Sequence, residues 1–151
     1  MHPIHLPFDK VRSNIKIRNT GKTPEIWDVI RQKWVVLQPE EWVRQQLIHV
    51  FTDVYGFSKN LMAIEKGFFI NQKPKRFDLV IFDKQANPFI LVECKAFQIP
   101  LNQQVFNQMC MYNDHIKSPY LVASNGILTY CYKQNHENKD FMYLEDIPSL
   151  T

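Results

Sequence analysis

The chain has 151 residues, 45% hydrophobic and 22% charged, a composition that fits one globular domain with a real core and excludes a disordered or fibrous chain. Its net charge of +3 permits a polyanionic partner without requiring one. No run of about 18 apolar residues occurs, which excludes a membrane-spanning helix. The first residues lack the basic start and apolar run of a signal peptide, so the expectation is a soluble, cytoplasmic protein. Cys94, Cys110 and Cys131 lack CxxC spacing and lie among apolar residues, which fits reduced, buried thiols rather than a disulfide or zinc site.

Taken in order, residues 1–24 predict a strand near Ile15 and Ile17 with a basic outer face. Lys10, Arg12, Lys16, Arg18 and Lys22 meet only Asp9 there, which suits either a charge-protected edge or an arm that contacts phosphates. Glu25 to Leu37 predicts two short strands around Arg31-Gln32-Lys33, with Trp27 and Trp34 as core aromatics. Pro39 then opens a helix with Glu40 and Glu41 in its first turn, where prolines and acids are favoured. Its apolar stripe is Val43, Leu47, Val50, Phe51 and Val54, and Gly56 ends it. Glu40 lies three residues before Val43, on the apolar side, whereas Glu41 is turned about 100° away.

Leu61 to Ile70 predicts a strand interrupted at Glu65-Lys66-Gly67, and Asn71 to Arg76 a basic turn. Arg76 to Phe82 and Phe89 to Lys95 predict a hairpin of two apolar strands joined by Asp83–Pro88. Leu101, Val105, Met109, Tyr112 and Ile116 form a second helical stripe, into which Gln108 intrudes. A buried glutamine needs partners, and Tyr112 stands four residues on. Pro119 leads a strand to Ser124, Asn125-Gly126 predicts a hairpin turn, and Ile127 to Lys133 returns antiparallel. A polar loop and a short closing element, Phe141 to Leu150, follow. The order is αβββαββ after a small N-terminal β region.

The anomaly is the charge on the central hairpin. Asp78 lies in its first strand, and Glu93 and Lys95 end the second. Alternation points Glu93 and Lys95 to one face and Cys94 to the other. Normal pairing brings Asp78 level with them. Unliganded charges at the end of an apolar sheet are costly. Two carboxylates suit a hard cation such as Mg²⁺, with Glu40 able to add a third from the helix and the Cys94 carbonyl a further oxygen. Such an ion activates water and neutralises a scissile phosphate, and Lys95 can orient or deprotonate that water or stabilise the oxyanion.

Asp78 followed by Glu93-Cys94-Lys95 across a hydrophobic hairpin resembles the PD-(D/E)XK signature of the restriction-endonuclease-like nucleases. With Pro39-Glu40-Glu41-Trp42-Val43-Arg44-Gln45, Arg76-Phe77-Asp78, Gln108-x-x-x-Tyr112 and Ser124-Asn125-Gly126 in the same order, residues 25–133 look like the N-terminal nuclease region of type I restriction enzyme R subunits. Phe77 stands where the superfamily name has proline.

The resemblance implies an α/β, restriction-endonuclease-like mixed β-sheet flanked by helices. A single domain spans 1–151: an N-terminal β extension (1–37), the core (38–134) and a closing segment (135–151). It implies a Mg²⁺-dependent deoxyribonuclease, with Mn²⁺ as a substitute. Asp78, Glu93, Glu40 and the Cys94 carbonyl would be metal ligands, and Lys95 the catalytic lysine. Gln108 and Tyr112 would be the Q-x-x-x-Y pair that supports the site and touches substrate. Position favours Glu40 over Glu41, with Glu41 left open. The expected partner is DNA, with a homodimer and a separate motor or specificity subunit as further partners, since these residues contain no Walker A sequence. Two other readings stand beside this one: a DNA-binding or assembly module that keeps the fold without catalysis, and a purely structural ion network.

Overall fold

The computed structural model describes residues 2–135 and 137–150; Met1, His136 and Thr151, which the 1–151 span includes, lie outside the described residues. A short helix α1 (Phe8–Val11) precedes strands β1 (Ile17–Arg18), β2 (Glu25–Asp28) and β3 (Lys33–Val36), then helix α2 (Pro39–His49). Strands β4 (Met62–Ile64), β5 (Gly67–Ile70), β6 (Lys73–Arg76), β7 (Leu79–Phe82) and β8 (Pro88–Cys94) follow. Helix α3 (Gln103–Ile116) leads to β9 (Tyr120–Ser124), β10 (Thr129–Gln134) and β11 (Phe141–Leu144).

The main sheet has the order β11-β10-β9-β8-β7-β4. Its neighbours are antiparallel except β8 and β9, whose parallel pairing requires the crossover that α3 supplies. The succession α2-β4-β7-β8-α3-β9-β10 is the expected αβββαββ order. β1 to β3 form a separate sheet, and β5 and β6 a two-stranded ribbon.

Side-chain alternation divides the core. Leu79, Ile81, Ile90, Val92 and Cys94 pack with Val43, Leu47 and Ile48 of α2. Val80 and Leu91 point the other way and pack with Met109 and Tyr112 of α3. Both faces of β7 and β8 are therefore covered, which is why these strands read as continuous apolar runs.

Several elements differ from their sequence expectation. Residues 8–14 wind into helical turns, which leaves β1 only two residues and Ile15 outside it. The N-terminal segment is thus more than a β extension, and it sends Ile4, Leu6 and Val11 into the α2-side core. Trp27 and Trp34 are half-buried and meet edge to face at 5.4 Å, because alternation turns Ile26 and Asp28 inward instead.

The stripe of α2 holds through Phe51. The chain then widens into a π-helical turn, Val50–Val54, with the Tyr55 N–H bonded to the Val50 carbonyl five residues back. That change of pitch rotates Val54 out to 41% exposure. Gly56, at φ +77°, ends the segment as expected.

Asn71 to Arg76 is a turn only at its start. Asn71 and Gln72 both adopt positive φ, the geometry of a two-residue hairpin turn, and Lys73–Arg76 return as β6. Phe77 and Asp78 consequently fall between two strands rather than inside one. At the later hairpin, Asn125 accepts the N–H groups of Ile127 and Leu128, so four residues make the loop and the strand resumes at Thr129. The closing segment adds β11 to the sheet edge and Ile147 to the core.

Among the described residues no helix is long and apolar enough to cross a membrane. Leu47 is wholly buried between α2 and the sheet. Leu47→Ala is expected to cost about 2–5 kcal/mol, read as a lower urea midpoint with an unchanged slope.

Candidate active site

The β7–β8 register sets the site. Leu79 stands opposite Val92, so the next residue outward on each side brings Asp78 level with Glu93. Asp78 Oδ2 accepts the Cys94 N–H at 2.7 Å, which ties the carboxyl to the end of β8. The two carboxyl groups are close enough for one, when protonated, to bond to the other. Lys95 Nζ lies 3.2 Å from Glu93 Oε1, and the Lys95 backbone N–H is held by the Ser124 carbonyl at 2.9 Å. Glu93 is buried and Lys95 half-buried.

Burial and the neighbouring Glu93 push the Asp78 carboxyl up to about 7. Burial also raises Glu93, although Lys95 opposes the rise. For Lys95, burial pulls the ammonium down but Glu93, Asp78 and Glu40 more than offset it, so the amine is held in its charged form. The arrangement is a repelling pair of acids with a cation beside each, Lys95 at Glu93 and Arg44 at Asp78.

The two acids of α2 divide their tasks. Glu40 is raised first by burial and next by Asp78, while Arg44 and Lys95 lower it, so it shares the field of the site. Its nearest cation is Arg44, at 3.7 Å, and its side chain is 45% exposed. Glu41 is only 12% exposed and is bound by Arg31 at 2.8 Å, Arg44 at 3.5 Å and the Gln45 amide at 3.2 Å. The residue turned from the apolar stripe is thus the more buried one, because Arg31 from the β2–β3 turn folds over it. Glu40 is the acid that faces Asp78 and Lys95.

Gln108 and Tyr112 bond to each other, amide to phenol oxygen, at 2.9 Å. Among the described residues neither bonds to Asp78, Glu93 or Lys95. They lie on the α3 side of the sheet, toward which alternation directs Glu93. The Cys94 thiol is fully buried on the α2 side, and burial raises it well above the usual thiol range. Its N–H goes to Asp78, which leaves the carbonyl as the ligand candidate on that residue.

A sequence model of the type I restriction enzyme R protein N terminus (HSDR_N) matches residues 39–148. The chain belongs to that family. A fragment of an HsdR subunit of a type I restriction enzyme from Vibrio vulnificus YJ016 is 16% identical, with a TM-score of 0.47 over 68% of this chain. The present chain spans 22% of that fragment. No curated protein matches. The architecture is a mixed α/β sheet flanked by helices, and the family ties the chain to the N-terminal region of type I restriction enzyme R proteins.

In this R-protein N-terminal domain, Arg44 is the residue that carried no assigned role in the sequence. It is 3% exposed, and its guanidinium lies 3.1 Å from Glu65, 3.5 Å from Glu41 and 3.8 Å from Asp78. It therefore joins α2, the β4–β5 turn and the start of β7. Arg31 completes the network with Asp28, Glu41 and Glu65. Arginine at position 44 was visible one helical turn beyond Glu40 and Glu41, but its third acid, Glu65, arrives only through the fold.

The donor chemistry fits a hard divalent cation. Among the described residues no three His, Cys, Asp or Glu side chains form a ready-made cage. Mg²⁺, however, is usually held by one or two carboxylates with water and phosphate oxygens completing its shell. Asp78 and Glu93 are a pair whose mutual repulsion a cation would relieve.

The raised carboxyl has a stability consequence of definite sign. The folded value for Asp78 is about 7 against 3.8 in the unfolded chain, so the folded state keeps a proton that the unfolded state has lost within that window. Its contribution to stability falls as pH rises through it. In metal-free buffer, Asp78→Asn keeps an acceptor for the Cys94 N–H and removes the repulsion. The variant should match the wild type near pH 4 and exceed it at pH 7 by a few degrees in Tm, on the order of 1–2 kcal/mol. A pH-independent difference would show that the carboxyl is not raised.

Proposed function

We propose that this domain is a Mg²⁺-dependent endonuclease that hydrolyses DNA phosphodiesters. The observation that carries the reading is the Asp78–Glu93 carboxyl pair at one sheet end with the Lys95 ammonium 3.2 Å from Glu93. A structural ion network would balance its charges. Here burial raises both acids and Glu93 raises Asp78 further, and catalytic centres are where such perturbed groups collect.

Asp78 and Glu93 would hold the metal, with the Cys94 carbonyl and, from the helix side, Glu40 as further oxygens. When bound, Mg²⁺ supplies charge neutralisation at the phosphate and a more acidic water, and Mn²⁺ would substitute. The chain's own groups do the rest. Lys95, charged at neutral pH, is placed to donate a hydrogen bond to a phosphate oxygen as negative charge grows there, rather than to take a proton in the resting state. Glu40, partly exposed and beside Lys95, can accept a hydrogen bond from the attacking water. Gln108 and Tyr112 would brace the α3 side of the cleft and touch the strand.

The family match supports a nuclease relationship, and the proposed substrate is DNA. Cutting both strands of a duplex calls for two sites, which a homodimer would provide. Translocation would come from a separate motor segment or subunit and sequence choice from a specificity subunit.

Purified protein is expected to cleave single-stranded, duplex or branched DNA with Mg²⁺ or Mn²⁺ and not in EDTA. Asp78→Ala, Glu93→Ala and Lys95→Ala should each lower the rate at least ~100-fold. Glu40→Gln should lower the rate with little change in Tm, whereas Glu41→Gln, which loosens Arg31 and Arg44, should lower Tm. Cleavage that survives Asp78→Ala would sink the reading. DNA binding without any metal-dependent cleavage would favour the binding or assembly module instead.

A further inference from the structure

The β5–β6 ribbon is outside the main sheet, and its two faces differ sharply. Its pairs are Gly67–Arg76, Phe68–Lys75, Phe69–Pro74 and Ile70–Lys73. Alternation puts Phe68, Ile70, Lys73 and Lys75 on one face and Gly67, Phe69, Pro74 and Arg76 on the other. The first face is the anchor. Ile70 is buried, and Phe68 stacks on Phe77 at 6.3 Å and meets Tyr112 edge-on at 5.2 Å. A lone two-stranded ribbon is marginal in water, so these contacts are what hold it.

The outer face has no such explanation. Phe69 is 70% exposed, and Pro74 and Arg76 on its face are exposed as well; Lys73, opposite Ile70 at the tip, and Lys66, at the root, are exposed at the two ends of the ribbon. From Lys66 to Arg76 the sequence has four cations and no acid. Among the described residues no carboxylate pairs with any of them, whereas Arg18, Arg31, Arg44 and Lys95 are each held by an acid. Cations along a ribbon that also exposes an aromatic ring form a surface for a polyanion that also carries flat rings.

Position adds the second argument. Arg76 is two residues before Asp78, so their α-carbons lie within ~7 Å. The root of the ribbon is fixed to the site by backbone bonds from Glu65 N–H to the Asp78 carbonyl and from Phe77 N–H to the Lys66 carbonyl. The Glu65 carboxylate, at that root, is gripped by Arg44 at 3.1 Å and Arg31 at 3.3 Å. A strand whose phosphate reached Asp78 and Glu93 would pass this ribbon.

We infer that the β5–β6 ribbon is the DNA-gripping element of the domain: Lys66 and Arg76 hold backbone phosphates at its root beside the acid pair, Lys73 holds one further along at its tip, and Phe69 stacks on an unpaired base. The inference rests on the DNA reading of the site and names the surface that would deliver the strand to it. The two kinds of side chain divide the work. The cations give affinity that salt weakens, and the ring gives affinity that salt leaves largely alone.

The test is binding of a fluorescein-labelled single-stranded oligonucleotide to the full chain in EDTA, followed by anisotropy over a range of salt. The combined variant Lys66→Gln, Lys73→Gln, Arg76→Gln should weaken binding at least ~10-fold at low salt and reduce the slope of log affinity against log salt by about 2. Phe69→Ala should weaken binding ~10-fold with the slope unchanged. Both sets point to solvent, so the Tm of each variant should stay within ~2 °C of the wild type. Variants that bind with wild-type affinity and slope overturn the inference, as does a wild type that binds no single-stranded DNA. Because no metal is present, the result is separable from catalysis. Ribbon-dependent binding by a protein that cleaves nothing would leave the ribbon standing and remove the nuclease, whereas metal-dependent cleavage that Asp78→Ala abolishes, with ribbon variants binding normally, would do the reverse.

Discussion

Two carboxyl groups that repel each other are held side by side by the register of β7 on β8. The backbone does this work: Leu79 pairs with Val92, and the Cys94 N–H fixes Asp78 beside Glu93. The strands beneath are buried on both faces, and slipping by one residue would turn every apolar side chain to the wrong side. The hydrophobic core is therefore what enforces an electrostatically unfavourable pair, and the rest of the site is arranged around that constraint.

Arg44 makes the arrangement tolerable in the absence of a ligand. A buried guanidinium without partners would be very costly, but here Glu41, Glu65 and Asp78 surround it. It is shared among three elements, so the β4–β5 turn and the ribbon that grows from it are registered against the acid pair. Arg31 repeats the pattern from the N-terminal sheet through Asp28, Glu41 and Glu65. The N-terminal region is thereby coupled to the candidate site rather than merely appended to the core.

Much of this was legible from residue order. The stripes of α2 and α3 follow helical spacing, and the αβββαββ succession follows from short apolar runs between turn formers. The proximity of Asp78 to Glu93 and Lys95 follows from hairpin pairing. Where the reading failed, local signals competed with geometry. Val54 left its stripe because a π-helical turn changed the pitch. Lys73–Arg76 resembled a turn by composition but pair as a strand, since Asn71 and Gln72 already make the turn. Trp27 resembled a core residue by size, yet alternation from Ile26 places it half outside.

By itself, then, the sequence determined that Asp78, Glu93 and Lys95 meet at one end of the β7–β8 hairpin, because strand periodicity and turn chemistry are local properties. Tertiary structure decided the remaining questions. Glu40, not Glu41, faces the acid pair, because Arg31 arrives from a distant turn to claim Glu41. The basic segment became a ribbon with an exposed aromatic face, because Phe68 found Phe77 and Tyr112 on the main body. Both decisions rest on contacts between residues far apart in the chain, whose partners no local pattern encodes.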